Sequence, residues 1–121
     1  MIGLEITRHA EHALVRASGR LVGAQAADAL AASIDFVPED DDLILDLLAL
    51  IELDRPCARR LRVQLLRRAS SGAVVVAVDD PAVATELLLC EIDRIGPIVR
   101  SLDDAVRAMR SRPLAAEPSR S

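Results

Sequence analysis

The residues best placed for chemistry run through Asp54-Arg55-Pro56-Cys57, just after the apolar stretch Leu43-Ile44-Leu45-Asp46-Leu47-Leu48. A carboxylate two residues before a proline suits the cap and first turn of a helix, where a missing N–H is no loss. No nucleophile, base and orienting group stand together, and the paired carboxylates Asp46 and Asp54 fit strand-end and helix-cap roles. No catalytic residue is assigned, and an enzyme is not expected. His9 and His12 lack further ligands, and Cys57 and Cys90 have no C-x-x-C spacing, so neither set reads as a metal site. The two cysteines read as buried free thiols of a reducing compartment. Pro38-Glu39-Asp40-Asp41-Asp42 lacks the alternation, central glycine and closing glutamate of a calcium loop. Ser18-Gly19-Arg20-Leu21-Val22-Gly23 holds two turn glycines but neither G-K-[ST] nor G-x-G-x-x-G, so no cofactor is expected. Gly19 and Gly23 are read as supplying unusual backbone angles. Space between the Gly19 loop and Asp54 is left open to a small ligand.

What remains is binding chemistry. Projected at 3.6 residues per turn, Cys57 to Ala69 puts Cys57, Ala58, Leu61, Leu65 and Ala69 on one face. Arg55, Arg59, Arg60, Arg62 and Arg67 spread over the other, and Val63 and Leu66 fall among them. Arginine beside aliphatic side chains anchors protein interfaces. The expected partner-binding set is therefore Asp54, Arg55, Arg59, Arg62, Val63 and Leu66.

Composition narrows the partner. Net charge is -4, and Phe36 is the only aromatic residue, so neither phosphate neutralisation nor base stacking favours nucleic acid. All fifteen basic residues are arginine. No secretory leader and no apolar run of about 18 residues is visible, so membrane insertion is not expected and the location is read as cytoplasmic. At 121 residues the chain is one domain, with residues 1–110 folded and 111–121 a frayed tail rich in Pro, Ser, Ala and Arg.

The elements that must position the Asp54 junction follow in order. Ile2 to Arg8 and Ala13 to Ala17 read as an antiparallel hairpin with His9 and His12 at its tip. Ala24 to Ile34 has a helical period, Leu43 onward is a strand covered on both faces, and Ala73 to Val78 is another. Asp79-Asp80-Pro81 opens a helix through Val83, Leu87 and Cys90. Ile95 to Val99 is a last strand, placed at an edge by Pro97, and Ser101-Leu102-Asp103-Asp104 caps a helix reaching Met109. Strands alternating with helices make an α/β domain: a mixed, mainly parallel sheet with about four helices and an N-terminal β-hairpin. Its edge strand and aliphatic helix faces could support a homodimer.

This order resembles the STAS domain, the module of bacterial anti-sigma factor antagonists and of sulfate-transporter tails. The likeness spans residues 4 to 109. It rests on Ser18-Gly19-Arg20-Leu21, Asp46-Leu47, Asp54 opening a helix with Leu61 inside it, Ser70-Ser71-Gly72-Ala73 before Val74-Val75-Val76, and Ile92-Asp93-Arg94-Ile95 followed by Ser101-Leu102-Asp103-Asp104-Ala105. The resemblance implies a non-enzymatic signalling module whose partner is an anti-sigma factor or kinase. In such antagonists a Ser or Thr follows the Asp, a Gly stands after one further residue, and the hydroxyl is phosphorylated. Here Arg55 holds the hydroxyl position and Cys57 the glycine position, which implies no phosphorylation there. Two other roles compatible with the resemblance are an accessory subunit of a phospholipid-type ABC transport system and an inert scaffold paralogue.

Overall fold

The computed structural model describes residues 2–9 and 12–110, so the expected tail at 111–121 lies outside the described residues. The elements are β1 (Ile2–Arg8), β2 (Ala13–Leu21), α1 (Ala24–Phe36), β3 (Leu43–Leu53), α2 (Arg55–Ala69), β4 (Val74–Ala77), α3 (Pro81–Leu89), a 3-10 turn at Ile92–Arg94, β5 (Ile98–Val99) and α4 (Leu102–Arg110). The five strands lie side by side in chain order, β1-β2-β3-β4-β5. β1 is antiparallel to β2, and the other three pairings are parallel.

Side-chain alternation along β3 divides the core in two. Leu43, Leu45 and Leu47 face the layer containing Leu30, Ile34, Leu61, Leu65 and Leu87 of α1, α2 and α3. Ile44 faces the opposite side, where Ala105 and Met109 of α4 cover it together with Val75 and Ala77. Both faces of the middle strands are thus shielded, which is why β3 and β4 read as nearly continuous aliphatic runs.

The alternation along β3 slips twice. Arg16 pairs with Asp46 and Ser18 with Ala49, so β3 carries an extra residue there; Gly19 pairs with Leu50 and Arg20 with Glu52, leaving Ile51 extra. After Leu47 the next residues in the main core are accordingly Leu50 and Leu53. Asp46, fully buried, sits at the first slip. Its carboxylate accepts the Leu48 N–H at 3.0 Å and the Arg16 Nε–H at 2.9 Å, giving a partner to an amide beside the irregular pairing.

α1 and α2 are joined by a ladder of polar contacts one helical turn apart. Arg60 meets Asp28, Gln64 meets Asp35, and Arg68 reaches the end of α1. The Arg68 guanidinium donates to Val37 O at 2.6 Å and Pro38 O at 2.7 Å. These carbonyls lie at and just past the negative end of α1, so the cation also answers the helix dipole. Arg68 is 4% exposed, whereas Ala69, expected on the buried face, is exposed. The period through Cys57, Leu61, Gln64 and Arg68 puts Arg68 inward, and its fan of donors lets it be buried there.

Elsewhere the element limits shift by a few residues. β2 runs on to Leu21 because β3 pairs with it that far. The last strand shrinks to Ile98–Val99, since Ile95 and Gly96 donate back to Ile92 O to close the 3-10 turn. A Cβ on Gly96 would stand 2.0 Å from Val74 O, so only glycine fits that approach to β4.

Replacing Arg68 with Leu is expected to lower unfolding free energy by about 1.5–3 kcal/mol, because carbonyls bound to a charged donor lose it. Arg67→Leu, on the exposed side, should stay within about 0.5 kcal/mol. Urea denaturation followed by far-ultraviolet circular dichroism measures both, and equal midpoints would refute the clamp.

Candidate functional site

The junction between β3 and α2 is held by one carboxylate. Asp54 caps α2: Oδ1 accepts the Cys57 N–H at 2.9 Å, and Pro56 occupies the first turn. Oδ2 accepts the Gly23 N–H at 3.0 Å, at the start of α1. Asp54 therefore bridges the N-termini of two helices. Gly23, with φ 89°, adopts a left-handed conformation that a side chain would disfavour; Gly19, at φ 87°, does the same. The Cys57 thiol completes the knot by donating to Gly23 O at 3.3 Å.

The electrostatics follow from this packing. The bond with the Cys57 side chain, then the backbone N–H groups of Cys57 and Gly23, hold Asp54 below the ordinary carboxylate range against the effect of burial. Burial first, then the hydrogen bond and charge of Asp54, push the Cys57 thiol up to about 12. At neutral pH the thiol keeps its proton, so Cys57 has none of the character of a nucleophile.

Arg55, the first residue of α2, turns sideways toward α3. Its Nε–H donates to Glu86 Oε1 at 2.6 Å and its Nη2 to Oε2 at 3.4 Å, a two-pronged contact. That hydrogen bond and its charge lower the Glu86 pKa and raise that of Arg55. Seven residues further on, Arg62 Nη2 stands 4.0 Å from Glu91 Oε1, just beyond α3. Glu91 is held at φ 61°, a left-handed conformation costly for a residue with a side chain. Between these two contacts lies Arg59, exposed and without an ion pair among the described residues.

The anticipated residues divide accordingly. Arg55, Arg59, Arg62, Val63 and Leu66 share one outward stripe on the α3 side of α2, with Val63 58% and Leu66 44% exposed. Asp54 lies beneath its upper end, both oxygens taken by amides. Glu86 and Glu91 escaped sequence reading because each partner is far away in the chain. His9 and His12 stack at 4.8 Å between ring centres at the hairpin end. Beside Gly19, a hollow of about 510 Å³ is lined by Ile2, Arg20, Val22, Gln25, Ala26 and Glu52. Among the described residues no helix is long and apolar enough to cross a membrane.

No family model matches the sequence, and no curated protein is similar to it in sequence. Solved structures do match. An anti-sigma factor antagonist from Mycobacterium paratuberculosis superposes with a TM-score of 0.81 at 25% identity, over 92% of this chain and 96% of that one. An anti-sigma-factor antagonist (STAS) domain protein from Planctomyces limnophilus gives 0.68 at 16% identity, over 89% and 98%. The chain has the STAS fold. Its helix order, N-terminal hairpin and mixed sheet are those of that fold, and the Asp54 knot lies inside the STAS framework at the start of α2.

Two measurements check the knot. Asp54→Ala should cost about 0.5–2 kcal/mol near neutral pH as a lost cap. Because the folded pKa of Asp54 is lowered, its contribution is complete above the unfolded value and fades as pH falls through the folded one. The stability gap between wild type and variant should therefore narrow on acidification below the usual carboxylate range; a constant gap would refute the charged cap. In a Cys90→Ala variant at pH 8, native Cys57 should react with a disulfide reagent far more slowly than the urea-unfolded chain, and equal rates would refute the buried, protonated thiol.

Proposed function

We propose that this STAS domain is a non-enzymatic, protein-binding module of bacterial signalling that acts in the manner of an anti-sigma factor antagonist. It docks through the outward stripe of α2, formed by Arg55, Arg59, Arg62, Val63 and Leu66, with Asp54 fixing the helix start. That stripe, cations alternating with exposed aliphatics on a capped and clamped helix, carries the reading. The likeness to the mycobacterial anti-sigma factor antagonist supports the class of partner, an anti-sigma factor.

Arg55 sets the mode of regulation. A guanidinium has no oxygen to phosphorylate and carries a fixed positive charge where phosphate would bring about -1.5 to -2. The module therefore binds without the off-switch that the family resemblance associates with this position. An exposed cation at a helix N-terminus is mildly unfavourable, and the Glu86 carboxylate offsets it.

The test is binding to an anti-sigma factor from the same cells, measured by calorimetry. Arg59→Glu combined with Leu66→Asp should weaken binding at least about tenfold while leaving the urea midpoint nearly unchanged, as expected when interface anchors are lost. Undiminished binding by the folded double variant would remove this surface from the reading. Incubation with the cognate kinase and ATP should leave the mass of the chain unchanged, and phosphate on Ser18 or Ser70 would overturn the unswitched mode.

A further inference from the structure

The two ion pairs between α2 and the α3 region leave the binding stripe in an unusual state. α2 carries six arginines and no acidic residue, in a chain whose net charge is -4. Arg60 and Arg68 are spent on α1. On the opposite flank Arg59 has no ion pair among the described residues, Arg62 meets Glu91 only at 4.0 Å, and Arg55 is gripped by Glu86. Arg55, Arg59, Arg62 and Leu66 follow one another at spacings of four, three and four, which keeps them on a single line. A surface of this composition is complemented by carboxylates set among aliphatic side chains. The Arg55 fork already holds one such carboxylate, contributed by the chain itself, with the Arg55 side chain 43% and the Glu86 side chain 25% exposed.

Building on the docking reading above, we infer that the stripe takes an acidic, aliphatic protein segment, and that Glu86 is its internal competitor, holding Arg55 until a partner carboxylate displaces it. An exposed pair held by two side chains is weak enough to be exchanged, and exchange of one carboxylate for another leaves the guanidinium paired throughout. Glu86 thereby lowers affinity for the acidic segment and favours partners that present a carboxylate opposite Arg55 over those that offer only apolar contact.

The probe is a synthetic helical peptide with Glu and Leu on one face and a single Trp, set against the same peptide with Gln for Glu. The protein has no Trp or Tyr, so Trp fluorescence reports the peptide alone. Glu86→Gln should bind the acidic peptide about two- to fivefold more tightly, the factor matching release of one exposed ion pair. Asp28→Asn, which removes the same charge from the α1 side by freeing Arg60, should leave affinity unchanged. Raising salt should weaken the acidic peptide and spare the Gln peptide. Equal or weaker binding by Glu86→Gln, an equal gain in Asp28→Asn, or no preference for the acidic peptide would each overturn the inference. Loss of peptide binding in Arg59→Glu with Leu66→Asp would, alongside a failed Glu86→Gln gain, show that the surface stands and only the competitor falls. Glu86→Ala, with its urea midpoint measured in parallel, guards against a folding effect.

Discussion

One carboxylate, Asp54, holds together the junction where α1 and α2 begin. Each helix start presents amides with no partner inside the helix, and each carries a partial positive charge. Here α1 and α2 begin side by side, and a single side chain answers an amide from both. The backbone reinforces it, for the Asp54 N–H donates to Leu21 O at 3.2 Å and the ends of β2 and β3 are tied at the same place. If the carboxylate were lost, the first turn of α2 would lose its anchor, and Arg55 would lose the fixed origin from which it reaches α3.

Five of the six arginines of α2 fall on two opposite faces of the helix. Arg60 and Arg68 face α1, where they bind a carboxylate and the terminal carbonyls. Arg55, Arg59 and Arg62 face the other way, toward α3 and solvent. A helix lacking any acidic residue would repel itself along its exposed face if left alone. Acids from α1, α3 and the turn after α3 moderate that repulsion from outside, so the helix depends electrically on its neighbours rather than on its own sequence.

Much of the fold was legible because it follows from local physics. Period-2 alternation in Leu4 and Ile6, the unbroken aliphatic runs of β3 and β4, and Pro56 and Pro81 opening α2 and α3 all report on one segment at a time. So did the outward placement of Val63 and Leu66. The inward turn of Arg68 was present in the helical period but masked by its charge, since a buried cation makes sense only once the carbonyls of another element are known to surround it. Glu86 and Glu91 had no local signal, for their partners lie 31 and 29 residues away in sequence. The slips along β3 were hidden for the same reason: a strand of nearly uniform leucine shows no break in pattern when its register shifts.

The strand order carries a last consequence. From β2 to β5 the chain always steps to the next position in the same direction, and the three crossing helices gather on one face. Open α/β sheets form a cleft at their carboxyl edge where successive connections depart to opposite sides, and this order contains no such reversal among its parallel strands. The geometry that hands many α/β proteins a ready-made concave site is therefore missing from the path of the chain itself. What stands beside the carboxyl edge is instead convex, and the longest of the described helices there is α2.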